Sequence, residues 1–244
     1  MRPSLCSIVV LILIAFLATA CASIPPDQRV ESDPWESLNR PLYSFNTGFD
    51  NVLTKPIAKG YRAVLPGFAR KGVSNFFRNL TKPRSVINNL LQGKPERGFS
   101  EFGRFLFNST LGIGGLVDVA SMSGMEEYGE DFGQTAAVWG IPDGPFVMLP
   151  FLGPQTLRDA VLIPVDIVAT PLYHYENSSV RTKLYVLGLI DLRYRLLTAD
   201  KLLEDSKDRY LTVRESYLQN REYEVYDGDP PVDDDFFDEF LEEN

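Results

Sequence analysis

"DFGQTAAVWGIPDGPFVMLPFLGP" (residues 131–154) is punctuated by Gly and Pro like a loop, and loops normally lie in water. Yet from Phe132 to Leu157 the only charged side chain is Asp143. The rest of the stretch is apolar, with Trp139, Ile141, Phe146, Val147, Met148, Leu149, Phe151 and Leu152 crowding the turns. Either the segment is buried in a core, or its solvent is not water. Its centre, "AVWGI-PDG-PFVML", predicts a β-hairpin turning at Pro142-Asp143-Gly144, with Trp139 and Phe146 on the flanking strands. One hairpin alone is marginal, so something must pack on it.

Few other strand signals are found outward from that stretch. "DPWESLNRPLYSFNTGFDNVLTKP" opens with an Asp-Pro helix start and predicts a helix ending before Pro56. Ala69, Val73, Phe76, Phe77 and Leu80 fall on one helical face. Val86, Ile87, Leu90 and Leu91 mark a short helix that stops at Gly93. "PERGFSEFGRFLFN" starts at Pro95 and puts Phe99, Phe102 and Leu106 on one stripe. Val180, Leu184, Leu187, Ile190, Tyr194 and Leu197 mark a longer helix, and another follows from about Lys201 to Arg221. There is no internal repeat. The fold class is mainly α with one short hairpin.

The two ends differ from this body. Arg2, the apolar run Leu5–Leu17 and the small residues after it read as an export signal over residues 1–20. That run is shorter than the ~20 residues a spanning helix needs. "ATAC" at 18–21 resembles the bacterial lipoprotein box, in which Cys21 receives a diacylglycerol and becomes the mature N-terminus. Ala stands where the box usually has Leu, which leaves an ordinary signal peptide as the alternative. Ala22 rather than Asp after the Cys points to the outer membrane. Cys6 lies in the signal, so no disulfide is expected. Residues 21–32 then read as a lipid-anchored linker. At the far end, residues 222–244 hold 11 Asp or Glu and no Lys or Arg, and read as a disordered acidic tail. The remaining residues, 33–221, make one domain with ample length for a core.

Charge is uneven. The whole chain carries a formal −9, but residues 21–221 hold 23 basic and 22 acidic residues, so the acidity belongs to the tail. Within the body, residues 55–104 hold 11 Lys or Arg against Glu96 and Glu101, while residues 105–170 hold eight acids and only Arg158 as a base. Such a basic stretch binds nucleic acid in other settings, which export argues against. It reads instead as a surface for lipid phosphates, or simply as a solvated basic face. "PQTLRDAVLIPVDIVATPLY" (154–173) is apolar but interrupted by Pro164 and Asp166. A carboxylate in such a run usually faces protein or a wet cavity. Arg158, Asp159 and Asp166 are therefore candidates for lining something polar, with a local Arg–Asp pair on a buried helix as the alternative.

A reactive constellation is hard to assemble. His174 is the sole histidine, so a two-His zinc site is not available. No Ser lies in a nucleophile elbow, and "GIGG" (112–115) lacks the third Gly of a dinucleotide loop. No enzyme activity, cofactor or metal is expected, and His174 reads as structural or interfacial.

Four stretches together carry a family resemblance: "FNTGFDNVLTKPIAKGYRAVLP", "VSNFFRNLTKPRSVINNLLQGK", "LFNSTLGIGGLVDVAS" and "EDFGQTAAVWGIPDGPFVMLPFLGPQTLRD". From about Asp33 to near Arg209 the chain resembles the VacJ/MlaA outer-membrane lipoproteins, departing at Ala18, at Pro142-Asp143 and in the acidic tail. The resemblance implies a helical ring in the inner leaflet of the outer membrane, with an amphipathic channel and a neighbouring trimeric porin. It implies removal of phospholipid mislocalised in the outer leaflet and its transfer to a soluble periplasmic lipid carrier, with no bond changed and no nucleic acid involved. Asp118, Asp131, Gln134, Arg158, Asp159 and Asp166 are then the candidates for the lipid path, beside a hairpin formed by Trp139, Pro142, Asp143, Gly144 and Phe146. The alternatives are a structural outer-membrane lipoprotein supporting porin assembly or envelope integrity, and a lipid-cleaving enzyme.

Overall fold

A computed structural model describes residues 33–231. The expected signal segment, Cys21, the linker and the end of the acidic tail lie outside the described residues. The body is mainly helical, with one two-stranded antiparallel sheet.

Helix α1 (Glu36–Phe49) does not stop before Pro56 as its sequence suggests. It runs through a π-helical turn, Asp50–Thr54, directly into α2 (Lys55–Val64), where Pro56 occupies the first turn. Proline is tolerated there because its missing N–H would have had no partner. Helix α3 (Gly67–Leu91) likewise joins two segments that read as separate, with Pro83 inside it. Its buried residues explain the continuity. Asn75, Asn79, Lys82, Ser85, Asn88 and Asn89 recur at helical spacing on both sides of Pro83, so one inward face spans the proline. Gly93, with φ near +73°, ends the helix, and the Lys94 N–H returns to the Asn89 carbonyl at 2.9 Å. Helix α4 (Pro95–Thr110) folds back along α3 and buries Gly98, Glu101, Arg104 and Asn108.

These inward faces are polar. The stripe predicted on α4 points outward, as do Ile87, Leu90 and Leu91 of α3, while the Ala69–Leu80 stripe is half-buried. Phe99 is 71% exposed and Phe68 82%, with Ile87, Leu90, Phe102 and Leu106 also open, while Glu101 and Asn88 are at 0%. The polar faces are covered by residues 123–131 and by the short helices α5 (Val119–Met122) and α6 (Phe132–Val138). Lys82 Nζ meets Glu127 at 2.5 Å and Glu101 at 2.8 Å, and the Tyr128 N–H donates to Glu101 at 2.7 Å. Ser85 and the Glu130 N–H pair at 3.2 Å, and Asn89 donates to the Tyr128 carbonyl at 3.1 Å. The charge asymmetry of the sequence is thus largely an internal match. Arg78, Lys82, Lys94 and Arg104 pair with Asp118, Glu127, Glu130, Asp227 and Glu101.

The hairpin exists but not where its turn chemistry suggests. Strands β1 (Phe146–Leu149) and β2 (Gly153–Thr156) pair from Phe146↔Thr156 to Leu149↔Gly153, turning at 150–152. Phe151 and Gly153 take the left-handed conformations of that turn. Trp139 caps α6 instead, and Pro142, Asp143 and Gly144 form a loop bound back to the next helix, with the Arg158 N–H on the Asp143 carbonyl at 3.0 Å. Of the five hairpin candidates only Phe146 lies in a strand.

The free edge of β1 is satisfied by asparagines of α1. Asn39 donates to the Phe146 carbonyl at 3.0 Å and accepts from the Met148 N–H at 2.9 Å. Asn46, two turns later, serves Leu149 and Phe151 in the same way at 2.9 and 2.8 Å. This side chain ladder replaces a third strand, which an open edge otherwise needs. Helix α7 (Leu157–Val168) follows, with Pro164 and Asp166 inside it rather than breaking it. After a 3₁₀ turn (Pro171–His174) come α8 (Ser178–Leu196), α9 (Asp200–Glu204) and α10 (Arg209–Val225). The conventional core is small. Phe146, Met148 and Tyr210 meet under Leu42, Tyr43 and Val213.

Helix α10 passes the boundary expected at Arg221. Asp227 pairs with Lys94 at 2.6 Å and with Arg97, so residues 222–231 belong to the folded body rather than to a disordered tail.

Candidate functional site: a cavity of mixed polarity

A cavity of about 430 Å³ opens between α3, α7 and α10. One wall is charged, with Arg84, Asp131, Asp159, Asp166, Arg221 and Glu224. Ile163 and Ile167, on α7 beside Asp159 and Asp166, are the cavity's apolar part. Local signals place these groups. Asp131 is the N-cap of α6 in a capping box, accepting from the Gln134 N–H at 2.8 Å while Gln134 Oε1 accepts from the Asp131 N–H at 2.9 Å. Thr156 caps α7 and accepts from the Asp159 N–H at 3.2 Å, which sets Asp159 in the first turn.

Arg221 of α10 ties the two caps together. Its guanidinium grips Asp131 at 2.7 and 2.8 Å and Asp159 at 2.8 and 3.0 Å, and reaches Glu224 at 3.1 Å. Tyr217 adds its hydroxyl to Asp159 at 3.0 Å. Gly133 makes this approach possible, because a Cβ there would collide with both Asp159 and the Arg221 guanidinium. Burial alone would push the Asp131 carboxyl up, but the Arg221 hydrogen bonds outweigh it and hold it below the usual range. Asp166 is the opposite case. Burial pushes its carboxyl up, Arg84 is 3.6 Å away, and the Phe132 N–H, at 3.1 Å, is its hydrogen-bond donor.

The sequence candidates therefore separate. Asp131, Asp159 and Asp166 line the cavity. Gln134 sits behind it, donating to the Glu224 carbonyl at 3.2 Å. Arg158 is buried beside Asp159 and turns away toward Asp143 and the Ile141 carbonyl. Asp118 lies elsewhere, as the cap of α5 between Arg104, Asn108 and Ser121. Burial raises its carboxyl, and the Ser121 and Asn108 hydrogen bonds with Arg104 override that, leaving it at about 2. Its role there is to fasten α4 to α5.

Arg84, Tyr217, Arg221 and Glu224 were not among the candidates. A signal for α10 was present: Tyr210, Arg214, Tyr217 and Arg221 follow helical spacing and face inward together. His174 is structural, with Nε2 on the Val168 carbonyl at 2.8 Å. Among the described residues no group of three or more His, Cys, Asp or Glu could hold a metal ion.

The family model described as MlaA lipoprotein matches residues 31–224. The intermembrane phospholipid transport system lipoproteins of Shigella flexneri and Escherichia coli K12 are each 37% identical over 217 residues, spanning 87% of this chain and 86% of theirs. A solved structure, reported as the structural basis for maintenance of bacterial outer membrane lipid asymmetry, superposes with a TM-score of 0.71 at 38% identity. It covers 80% of this chain and 99% of the solved one.

Proposed function

The chain belongs to the MlaA lipoprotein family, and from that premise we propose that it works in intermembrane phospholipid transport as an outer-membrane lipoprotein. In this reading it is anchored on the periplasmic side by a lipidated Cys21 and lies as a helical ring in the inner leaflet. It withdraws phospholipid mislocalised in the outer leaflet and passes it to a soluble periplasmic carrier, beside a trimeric porin. No covalent bond changes in that reaction.

The observation that carries this reading is the inversion of burial in α3 and α4. A domain solvated by water on all sides hides its Phe and Leu, and large contiguous apolar surface marks a membrane or partner site. Here the inward face holds amides and charges, and the outward face holds the apolar side chains. Helices satisfy their own backbone groups, as lipid requires. No helix of the described residues is long and apolar enough to cross a membrane, which suits a body seated in one leaflet. The cavity adds the second requirement of a lipid path, polar groups for a headgroup beside apolar side chains for the start of its chains.

Deleting the gene and measuring outer-leaflet phospholipid accessible to an added phospholipase tests the proposal. Accessible phospholipid is expected to rise with porin abundance unchanged, and to return with the intact protein but not with Cys21→Ser. No rise would sink retrograde transport. A rise that only follows falling porin would leave the protein a structural lipoprotein.

A further inference from the structure

The charges around the cavity are not equally satisfied. Arg221 spends its guanidinium on Asp131, Asp159 and Glu224, so that cluster is closed. Arg84 and Asp166 are not closed. Their separation of 3.6 Å is beyond a hydrogen bond. Arg84 Nε is buried with no hydrogen-bond partner, and Asp166 accepts from one backbone N–H. A buried donor without an acceptor and a carboxylate whose cation, Arg84, stands off at 3.6 Å both cost free energy, and each would gain from a ligand of opposite charge. Ile163 and Ile167 continue the same wall in apolar character.

The sum of charge points the same way. The lining holds two arginines against four carboxylates, an excess of two negative charges. A headgroup bringing only a phosphate adds to that excess, whereas one bringing a phosphate and an ammonium leaves it unchanged.

We propose that this cavity selects phospholipids whose headgroup carries a primary ammonium beside its phosphate, with Arg84 receiving the phosphate and Asp166 the ammonium. The inference rests on the transport reading and deepens it from phospholipid in general to the ethanolamine class. Arg84 provides affinity for any phosphodiester. Asp166 discriminates, because a glycerol headgroup leaves its carboxylate beside a phosphate with no cation. A volume of about 430 Å³ suits a headgroup and the start of its chains rather than a whole lipid.

The test uses the full-length purified protein in detergent, exchanged with an equimolar mixture of phosphatidylethanolamine and phosphatidylglycerol, with bound lipid quantified by mass spectrometry. Wild-type protein is expected to enrich phosphatidylethanolamine roughly five-fold, the discrimination one partly exposed charge pair supports. Asp166→Asn should bring the ratio to near parity, Asp166→Glu should keep it, and Arg84→Gln should lower both lipids in parallel. Equal uptake by the wild type, or enrichment retained in Asp166→Asn, overturns the selectivity. The wild-type protein alone gives a second measurement if the Asn variant fails to fold. Phosphatidylcholine, whose ammonium has no N–H to donate, should be taken up less than phosphatidylethanolamine, and equal uptake overturns the role of Asp166. Retention of free phosphoethanolamine in place of diacyl lipid would assign the site to a soluble ligand and overturn lipid as its occupant. Binding of no phospholipid at all would strike the transport reading itself, whereas binding of both without preference strikes only this inference.

Discussion

Helices α3 and α4 bury Asn88, Glu101 and Arg104 and expose Phe68, Phe99 and Leu106, whereas α1, the hairpin and α10 close around Phe146, Met148 and Tyr210. Both regions are amphipathic helical packing. They differ in which face is turned inward. In water, the hydrophobic effect decides that choice, at about 25 cal/mol for each Å² of apolar surface removed. Next to hydrocarbon, that term vanishes and the buried contacts that matter are hydrogen bonds and ion pairs. On the proposed reading, the difference teaches that the two regions are built for different surroundings, the α3–α4 side for lipid and the α1–hairpin–α10 side for an ordinary packed interior.

The comparison breaks hardest at its two centres. Glu101 is enclosed with Lys82 at 2.8 Å and Arg104 at 3.9 Å. Replacing it with Leu orphans the Tyr128 N–H and removes one carboxylate from each cation, leaving Lys82 with Glu127 and Arg104 with Asp118, and a loss of about 3 kcal/mol, the low end for a broken buried pair, is expected. Phe146→Ala should cost a similar amount, about 3–5 kcal/mol, by leaving a cavity. Unfolding in detergent measures both. If Glu101→Leu were neutral or stabilising, the polar face would be an ordinary core and the contrast would fail. Asn39→Leu tests the join inside the second region, between α1 and the hairpin. It orphans the Phe146 carbonyl and the Met148 N–H, which should cost about 1–3 kcal/mol and raise hydrogen exchange along β1.

Much of the fold was legible in the sequence, but its orientation was not. Ala69 to Leu80 and Phe99 to Leu106 gave helices at the right places, because periodicity reports that a helix has two faces. It does not say which face is inside, and the habit of assigning the apolar face inward applies only in water. Pro83 and Pro164 read as breaks because local propensity was given precedence over the polar face that continues through them. Pro142-Asp143-Gly144 had turn chemistry, yet the hairpin formed one turn later. The Asn39 and Asn46 ladder pairs with residues more than 100 positions away, which no local reading contains. In the site, Asp166 stood out as a lone charge in an apolar run, with Asp159 at the start of that run and Asp131 at the edge of another. Arg221 did not stand out, since α10 carries charge on most faces.

Smaller in stability but direct for the surroundings is the exposed apolar surface. Phe68→Ser with Phe99→Ser should change unfolding free energy by no more than about 0.5 kcal/mol per site, as for surface positions. In a Cys21→Ser background, the same pair should shift protein from the membrane to the soluble fraction, since each Phe withdrawn from hydrocarbon forfeits about 2 kcal/mol. Retention unchanged would remove the lipid-facing assignment of α3 and α4 while leaving the polar interior intact.

The finest contrast lies inside the cavity, between two aspartates with opposite shifts. The Asp131 carboxyl, raised by burial but lowered more by Arg221, has a folded pKa below its unfolded one. Its contribution is present above the ordinary carboxylate range and is lost as pH falls through the depressed value. Asp166, raised by burial and by Asp131 against the opposing Arg84, Arg221 and Phe132 N–H, has a folded pKa above its unfolded one. Ionising it costs the folded state, so stability falls as pH rises through that window. At neutral pH, Asp131→Asn should therefore lower Tm and Asp166→Asn should raise it slightly; on acidification the Asp166 difference should fade first, as pH falls from its raised value to the ordinary carboxylate range of about 4, and the Asp131 difference only below that range. Melting curves of the lipid-free protein across that range read the two signs. A cavity carboxylate whose removal stabilises the empty protein is one held for its ligand rather than for the fold. If Asp166→Asn instead lowered Tm at neutral pH and the loss faded on acidification, its partnership with Arg84 would be structural, and the asymmetry between the two aspartates would disappear.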